Sequence, residues 1–322
     1  MIKYTNKYII ETGIGLQDVD GLKNSQYFLC EKDKYIKEEL TLEDLDKLIS
    51  SYYENKENSI ERSKEADLVS LRIGEIISED SFSLSIGELL AIHKFLFEGI
   101  FEHAGEFRKY NIRKEEWVLD NESVIYADYR DLEITVAYDL DNERKFDYSK
   151  LSIDEAINHL AFFIANLWQA HIFEEGNTRT IACFLIKYLH TLGFELTNDT
   201  FSKNSWYFRN ALVRANYTNI TKGIYEDKSY LVKFLRNLLL GEKNILSNQD
   251  LHISSFRRII KNSKESKIIS LMHNNPNIKL EDIAIELGVS LRTLKTIISK
   301  MKSNGLIERV NGKKYGKWEV NN

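Results

Sequence analysis

Proline is nearly absent from this chain: Pro276 is the single one in 322 residues, beside only 15 glycines. With so few breakers, helical periodicity can run through most of the length. Cysteine is equally scarce. Cys30 and Cys183 stand far apart without metal-ligand spacing, which argues against a zinc site or disulfide framework and leaves two reduced thiols suited to the cytoplasm. No apolar run approaches the roughly 18–20 residues needed to span a bilayer, so no membrane association is expected. Residues 1–15 lack the apolar core of about 7–15 residues that a signal peptide carries. No G-x-x-x-x-G-K-S/T occurs, which argues against a P-loop kinase. Internal repeats and low-complexity segments are also missing.

What is present is a globular composition, 43% hydrophobic and 29% charged, long enough for two or three domains with their own cores. The net charge of −5 conceals an asymmetry. From Phe256 onward 14 basic residues face 6 acidic ones, a net +8, which leaves −13 on the rest. A basic module on an acidic body suits separate tasks, with nucleic acid a candidate partner of the basic part.

Residues 41–75 read as polar helices. Over 86–103, Leu89, Ile92, Phe95 and Leu96 fall at helical spacing, and this helix is expected to stop at Ala104-Gly105. Trp117, Val118 and Leu119, then Asp120-Asn121, then Val124, Ile125 and Tyr126 put strand formers on both sides of a polar turn, the pattern of a short hairpin. Ser152 and Glu155 have capping-box spacing. The helix they open carries Ile153, Ile157, Leu160, Ile164 and Trp168 and runs into His171. A second apolar helix starts near Asn177, with Ile181, Phe184, Leu185, Tyr188 and Leu192, and Gly193 closes it. Further helices are expected over 201–217 and 228–241, then a polar linker.

Between the two apolar helices lies His-Ile-Phe-Glu-Glu-Gly-Asn-Thr-Arg-Thr, residues 171–180. Gly176 lets the backbone turn tightly, so that the amides of residues 176–179 open a helix, a ready anion site. Arg179 adds a fixed positive fork suited to phosphate. Glu175 can hold a Mg²⁺ that neutralises the same phosphates. His171 is the natural general base, since imidazole titrates near working pH. Phe173 is the one aromatic ring of the loop beside His171, expected to anchor it in the core.

His171, Phe173, Glu175, Gly176, Asn177 and Arg179 match HPFx(D/E)GNGRxxR, the motif of the Fic (filamentation induced by cAMP) family, which this chain resembles. Ile172 replaces its Pro, Thr178 its second Gly and Ala182 its final Arg. IHKFLFEGIFEHAGEFR (92–108) resembles the family's helix and turn before the flap, the 116–127 hairpin stands in the flap's place, and YFRNALVRAN (207–216) resembles the nucleoside-contacting helix. The resemblance spans about residues 60–242. It implies AMP transfer from ATP to a Ser, Thr or Tyr hydroxyl of a protein target, with Mg²⁺ on Glu175. It further implies His171 as base, Gly176, Asn177, Thr178 and Arg179 at the phosphates, Asn216 near the ribose or adenine, and Val124, Ile125 and Tyr126 docking the target as an added strand.

The loss of the final Arg is shared with Doc toxins, which transfer phosphate, so a Doc-like phosphotransferase is the alternative. Relatives often carry an inhibitory (S/T)xxxE(G/N) helix. Residues 50–55 fit that pattern and 57–62 approach it, which makes Glu54 and Glu61 the candidate inhibitory residues. With Ala182 uncharged, the expectation is weak or altered autoinhibition.

From Ser266 the chain reads as a helix at Leu280–Leu287, a turn at Gly288-Val289-Ser290, and a second helix capped by Ser290 and running to about Lys302. Strand formers at 306–310 and 318–320 flank a turn at Asn311-Gly312. This resembles a winged helix, whose recognition positions Arg292, Thr293, Lys295, Thr296 and Lys300 could face DNA. It could equally dock protein or a second copy in a homodimer, and a DNA-binding regulator with a degenerate core is a second alternative. The expected fold is thus mainly α: a helical region over 1–75, a Fic-type core with a short β-hairpin flap over 76–245, a linker over 246–263, and a winged helix-turn-helix over 264–322.

Overall fold

The computed structural model describes residues 4–54, 61–254, 264–303, 307–310 and 317–320. The chain divides into two units, Met1–Leu251 and His252–Asn322. In the first, helices follow one another as α1 (Asn6–Leu16), α2 (Gln26–Ile36), α3 (Leu42–Glu54), α4 (Glu61–Ser78), α5 (Ile86–Phe97), α6 (Leu132–Arg144), α7 (Ile153–Ala170), α8 (Asn177–Thr191), α9 (Thr200–Ala215), α10 (Ser229–Leu240) and α11 (Asn248–Leu251). Thr5, Ser25, Ser85 and Ser152 each accept a first-turn amide at a helix start, and Ser152 with Glu155 completes the expected capping box.

The centre is α8, buried without interruption from Asn177 to Leu189. A helix without an outer face must be enclosed, and α4, α5 and α7 surround it. Its one ammonium, Lys187, donates to the carbonyls of Ile76 and Glu79 at the end of α4, where a helix C-terminus favours a cation.

Two glycines in α1 explain how the N-terminal helices join this core. A Cβ on Gly13 would lie 2.2 Å from the Ser70 carbonyl oxygen of α4, and one on Gly15 would lie 2.4 Å from Ser202 of α9. Only glycine permits such close crossings. Asp67 of α4 then accepts hydrogen bonds from Asn24, Ser25 and Tyr53. The region 1–75 therefore shares a unit with everything up to Leu251, and the stretch expected as a linker begins with α11, where Asn248 accepts from Asn210 at 2.8 Å.

Helix α5 ends earlier than its spacing suggests, at Phe97 and not near Ala104. Arg72 of α4 donates to the carbonyls of Leu96 and Glu98, and Gly99 takes φ 75°. Those carbonyls are no longer free to propagate the helix.

The second unit holds α12 (Lys264–Asn274), α13 (Leu280–Glu286), α14 (Leu291–Ser303), β1 (Ile307–Val310) and β2 (Lys317–Val320). Gly288 turns at φ 62°, and the Ser290 hydroxyl accepts the Thr293 amide at the start of α14. The strands pair antiparallel, Ile307 opposite Val320 and Arg309 opposite Trp318. Ile268, Met272, Ile283, Leu294, Ile298 and Trp318 make the core. The turn expected at Asn311-Gly312 lies outside the described residues.

Candidate active site

Two left-handed residues shape the loop between α7 and α8. His171 ends α7 at φ 50°, ψ 58°, its amide closing on the Trp168 carbonyl at 3.0 Å, and Gly176 opens α8 at φ 73°. A Cβ on Gly176 would meet the Phe97 ring at 2.4 Å, so space as well as dihedral demands glycine. Within the loop the Asn177 amide accepts from the Phe173 N–H at 3.0 Å and donates to the Phe173 carbonyl at 2.7 Å. The Thr178 hydroxyl accepts from the Trp168 indole at 3.0 Å. Both side chains, expected at the phosphates, are thus spent on holding the loop. What they can offer an anion is backbone N–H in the first turn of α8, which no side chain caps.

Phe173 is buried and stacks on His93 at 3.7 Å. His93 accepts the Gly105 amide on Nδ1 at 2.8 Å, and its Nε2 lies 3.1 Å from the Glu175 carbonyl. Burial pushes its pKa down to about 4, so the ring is neutral and donates from Nε2.

The His171 ring is 5% exposed, under Tyr126 at 4.3 Å and edge-on to Trp168 at 5.3 Å. Burial, reinforced by the charges of Lys114, Arg209 and Arg108, holds its pKa well below the ordinary value. Its buried Nδ1 finds no partner among the described residues. The imidazole is neutral and able to accept a proton, but Tyr126 lies over it.

Arg179 has partners that its motif does not predict. Its guanidinium is 2% exposed, with Nη2 2.8 Å from Glu65, Nε 2.9 Å from Asp20, Nη1 3.1 Å from Gln17, and its carbon 4.7 Å from the centre of the Phe97 ring. The fork expected to meet phosphate is occupied by two carboxylates. Neither is a candidate inhibitory residue: Glu54 is exposed at the end of α3, and the Glu61 side chain lies outside the described residues. Ala182 is fully buried in α8.

Glu175 is 56% exposed and pairs with Lys114 at 2.9 Å. Among the described residues no group of three or more metal-binding side chains could hold an ion unaided. One accessible carboxylate fits a Mg²⁺ arriving on nucleotide phosphates, since that ion binds through one or two carboxylates plus substrate oxygens. Asn216 is not brought to this loop's work: its amide donates to the carbonyls of Ala165 and Leu212, joining α9 to α7.

The expected hairpin is a tight loop. A 3-10 turn at Trp117–Leu119 and left-handed Asp120 and Asn121 are closed by one bridge, Glu116 to Glu122. Val118 and Leu119 are both buried, and consecutive inward side chains are incompatible with the alternation of a strand. The three docking residues separate accordingly. Val124 is buried, Ile125 is 82% exposed with its carbonyl taken by Gln169, and Tyr126 covers His171.

Residues 110–115 with Trp117, the turn at 18–21, Glu174, Glu175, and Trp206 and Arg209 of α9 line an open cleft of about 1030 Å³. Its floor includes Arg209, paired through both arms with the buried Glu116 at 2.5 and 3.1 Å. Sequence spacing gives no sign of this pair, nor of Glu65 and Asp20.

In the second unit Arg292, Lys295, Thr296, Ser299 and Lys300 line one groove along α14, all exposed. No helix among the described residues is long and apolar enough to cross a membrane.

Compared with known families, residues 83–189 match the Fic/DOC family, and residues 261–308 match the winged helix-turn-helix DNA-binding family. A crystal structure of a Fic family protein from Desulfovibrio desulfuricans G20 aligns over 97% of this chain and 87% of that one, at 14% identity and a TM-score of 0.41, too slight a likeness to guide the reading of the site. No curated protein matches the chain.

Proposed function

We propose that this Fic/DOC-family chain with a C-terminal winged helix transfers AMP from ATP to a hydroxyl side chain of a protein target. The observation that carries the reading is the loop itself: a neutral, buried His171 five residues before the Gly176 that opens an uncapped helix, under a loop that presents an apolar residue outward. His171 would take the hydroxyl proton as the oxygen attacks the α-phosphorus, the bond to the β-phosphate breaks, and pyrophosphate leaves. The amides of the first turn of α8 would receive the phosphates. Arg179 would join them by giving up Asp20 and Glu65. Mg²⁺, when bound, would supply phosphate neutralisation, with Glu175 as its protein ligand.

The test is intact mass of proteins in a lysate incubated with the chain, ATP and Mg²⁺. A gain equal to AMP is expected. A gain equal to phosphate would replace the reading with Doc-like phosphoryl transfer, the outcome favoured by the uncharged Ala182. No gain on any protein would leave the basic groove of α14 as the working surface, and a gel shift with the full chain would then test a DNA-binding regulator.

A further inference from the structure

We infer that Arg108 is a positioning residue that clasps the target-presenting loop to the backbone of the catalytic histidine, an inference that rests on the transfer reading above. Arg108 is 2% exposed, and the carboxylate whose charge acts on it, Asp128, is itself paired with Arg130 at 2.8 Å. Backbone carbonyls surround its guanidinium instead. Nε donates to the His171 carbonyl at 2.7 Å, Nη1 to Tyr110 at 2.7 Å, and Nη2 to Ala170 at 3.3 Å and to Ala127. Its own amide donates to the Ile172 carbonyl at 2.9 Å.

These acceptors fall into two groups. Ala170, His171 and Ile172 are the end of α7 and the start of the motif loop. Tyr110 and Ala127 are the two ends of the segment that carries Ile125 and Tyr126. One planar fork therefore fixes both ends of that segment to the residue whose ring it covers. The charge is tolerated in the interior because the carbonyls at the end of α7 carry the negative pole of that helix. Lysine has the charge but one nitrogen, and cannot reach carbonyls on both sides at once.

The function of such a clasp is registration. A target hydroxyl held by the 110–127 segment reaches His171 only if the two are fixed to each other, and a misplacement of about 1 Å can cost about 10²-fold in rate. The nucleotide, held by α8, does not depend on this bond.

The experiment is Arg108→Lys in the full chain, followed by label transfer from α-labelled ATP into the band that wild type modifies, and by amide hydrogen exchange. The expected result is a rate at saturating ATP reduced about 10²-fold. KM for ATP should stay within about twofold, and exchange should rise over 108–128 and not over 181–189. An unchanged rate overturns the inference, and so does a parallel loss of ATP affinity and α8 protection, which would make Arg108 a general support. If the variant does not fold, native-state exchange of wild type decides: the amides of Arg108 and His171 and those of 126–128 should open with one free energy, and independent openings overturn the clasp. If wild type transfers nothing, the exchange experiment still tests the clasp apart from the activity.

Discussion

The pairing of Arg179 yields the sharpest consequence. A phosphate that recruits this guanidinium must displace Glu65 at 2.8 Å and Asp20 at 2.9 Å. A hydrogen bond to a charged group contributes about 1.5–3 kcal/mol, and about 1.4 kcal/mol is a factor of ten in affinity. Glu65→Gln keeps an acceptor near Nη2 but removes the competing charge, so ATP affinity should rise about tenfold, taking the low end for an amide that still bonds. Adding Asp20→Asn should raise it further, by less than the product of the single effects, because both act on one guanidinium. The apo protein should pay in stability. Removing one partner of a buried pair costs up to about 3–5 kcal/mol, and here less, since one carboxylate remains in the single variant. Calorimetric titration with ATP and thermal unfolding without it should therefore move in opposite directions. An unchanged or weaker ATP affinity in both variants would refute the reasoning. It would make Arg179 a strut between α8, α4 and the 17–20 turn, with the phosphates held by amides alone.

Four other outcomes are expected. His171→Ala should lower label transfer about 10²–10⁴-fold with ATP affinity kept, and near-wild-type transfer would remove it as the base. Ile125→Asp should impair transfer to a protein target by about tenfold or more while ATP binding holds, whereas Val124→Asp should destabilise the fold because that side chain is buried; equal effects on transfer would deny Ile125 a docking role. His93, with an ordinary value of 6.5 lowered to about 4, binds its proton more readily unfolded than folded, so its contribution is whole above pH 6.5 and lost as pH falls. The stability gap between wild type and His93→Gln should narrow by about 3 kcal/mol from pH 7 to pH 4 in urea melts, and a constant gap would mean that folding leaves the affinity of this ring for its proton unchanged. Glu54→Gly should change transfer by less than about tenfold, and a hundredfold activation would restore it as an inhibitory residue.

What was legible in the sequence follows from range. The Ser152–Glu155 cap, the two apolar helices and the glycine turn at 176 depend on neighbours three or four positions away, and the motif loop appears where its spacing puts it. The helix-turn-helix is local in the same sense: the Gly288 turn and the Ser290 cap are written in a few residues. Local patterns failed where distant groups intervened. Helix α5 ends at Phe97 because Arg72, more than twenty residues earlier, takes its last carbonyls. The hairpin became a 3-10 turn because Val118 and Leu119 both face the interior, a demand of the surrounding packing. Arg179 matched its motif and still lacks a free fork, since Gln17 and Glu65 reach it from 162 and 114 positions away. A motif specifies which side chain is present; its partner is a property of the fold.

The charges of the cleft share one arrangement. Lys114 rests on Glu175 and Arg209 on Glu116, both on the cleft lining, and Arg179 beside it rests on Glu65 and Asp20, so each of these three cations already has a carboxylate. The base is similarly occupied in space, beneath Tyr126. Unpaired, these cations would repel one another and destabilise the fold. Paired, they are stable but must exchange partners to bind, and the exchange is not equally costly at each. Glu175 is more than half exposed, and water can solvate it when Lys114 leaves. Glu116 is fully buried, and an uncompensated charge there would be expensive, so Arg209 is the cation least free to move. Arg179 is intermediate: its own head is buried, but Asp20 lies on the cleft wall and Glu65 is partly accessible. The order of release, Lys114 before Arg179 before Arg209, follows from burial of the partner. It makes the Lys114–Glu175 pair the adaptable part of the cleft lining and the Glu116–Arg209 pair its fixed part.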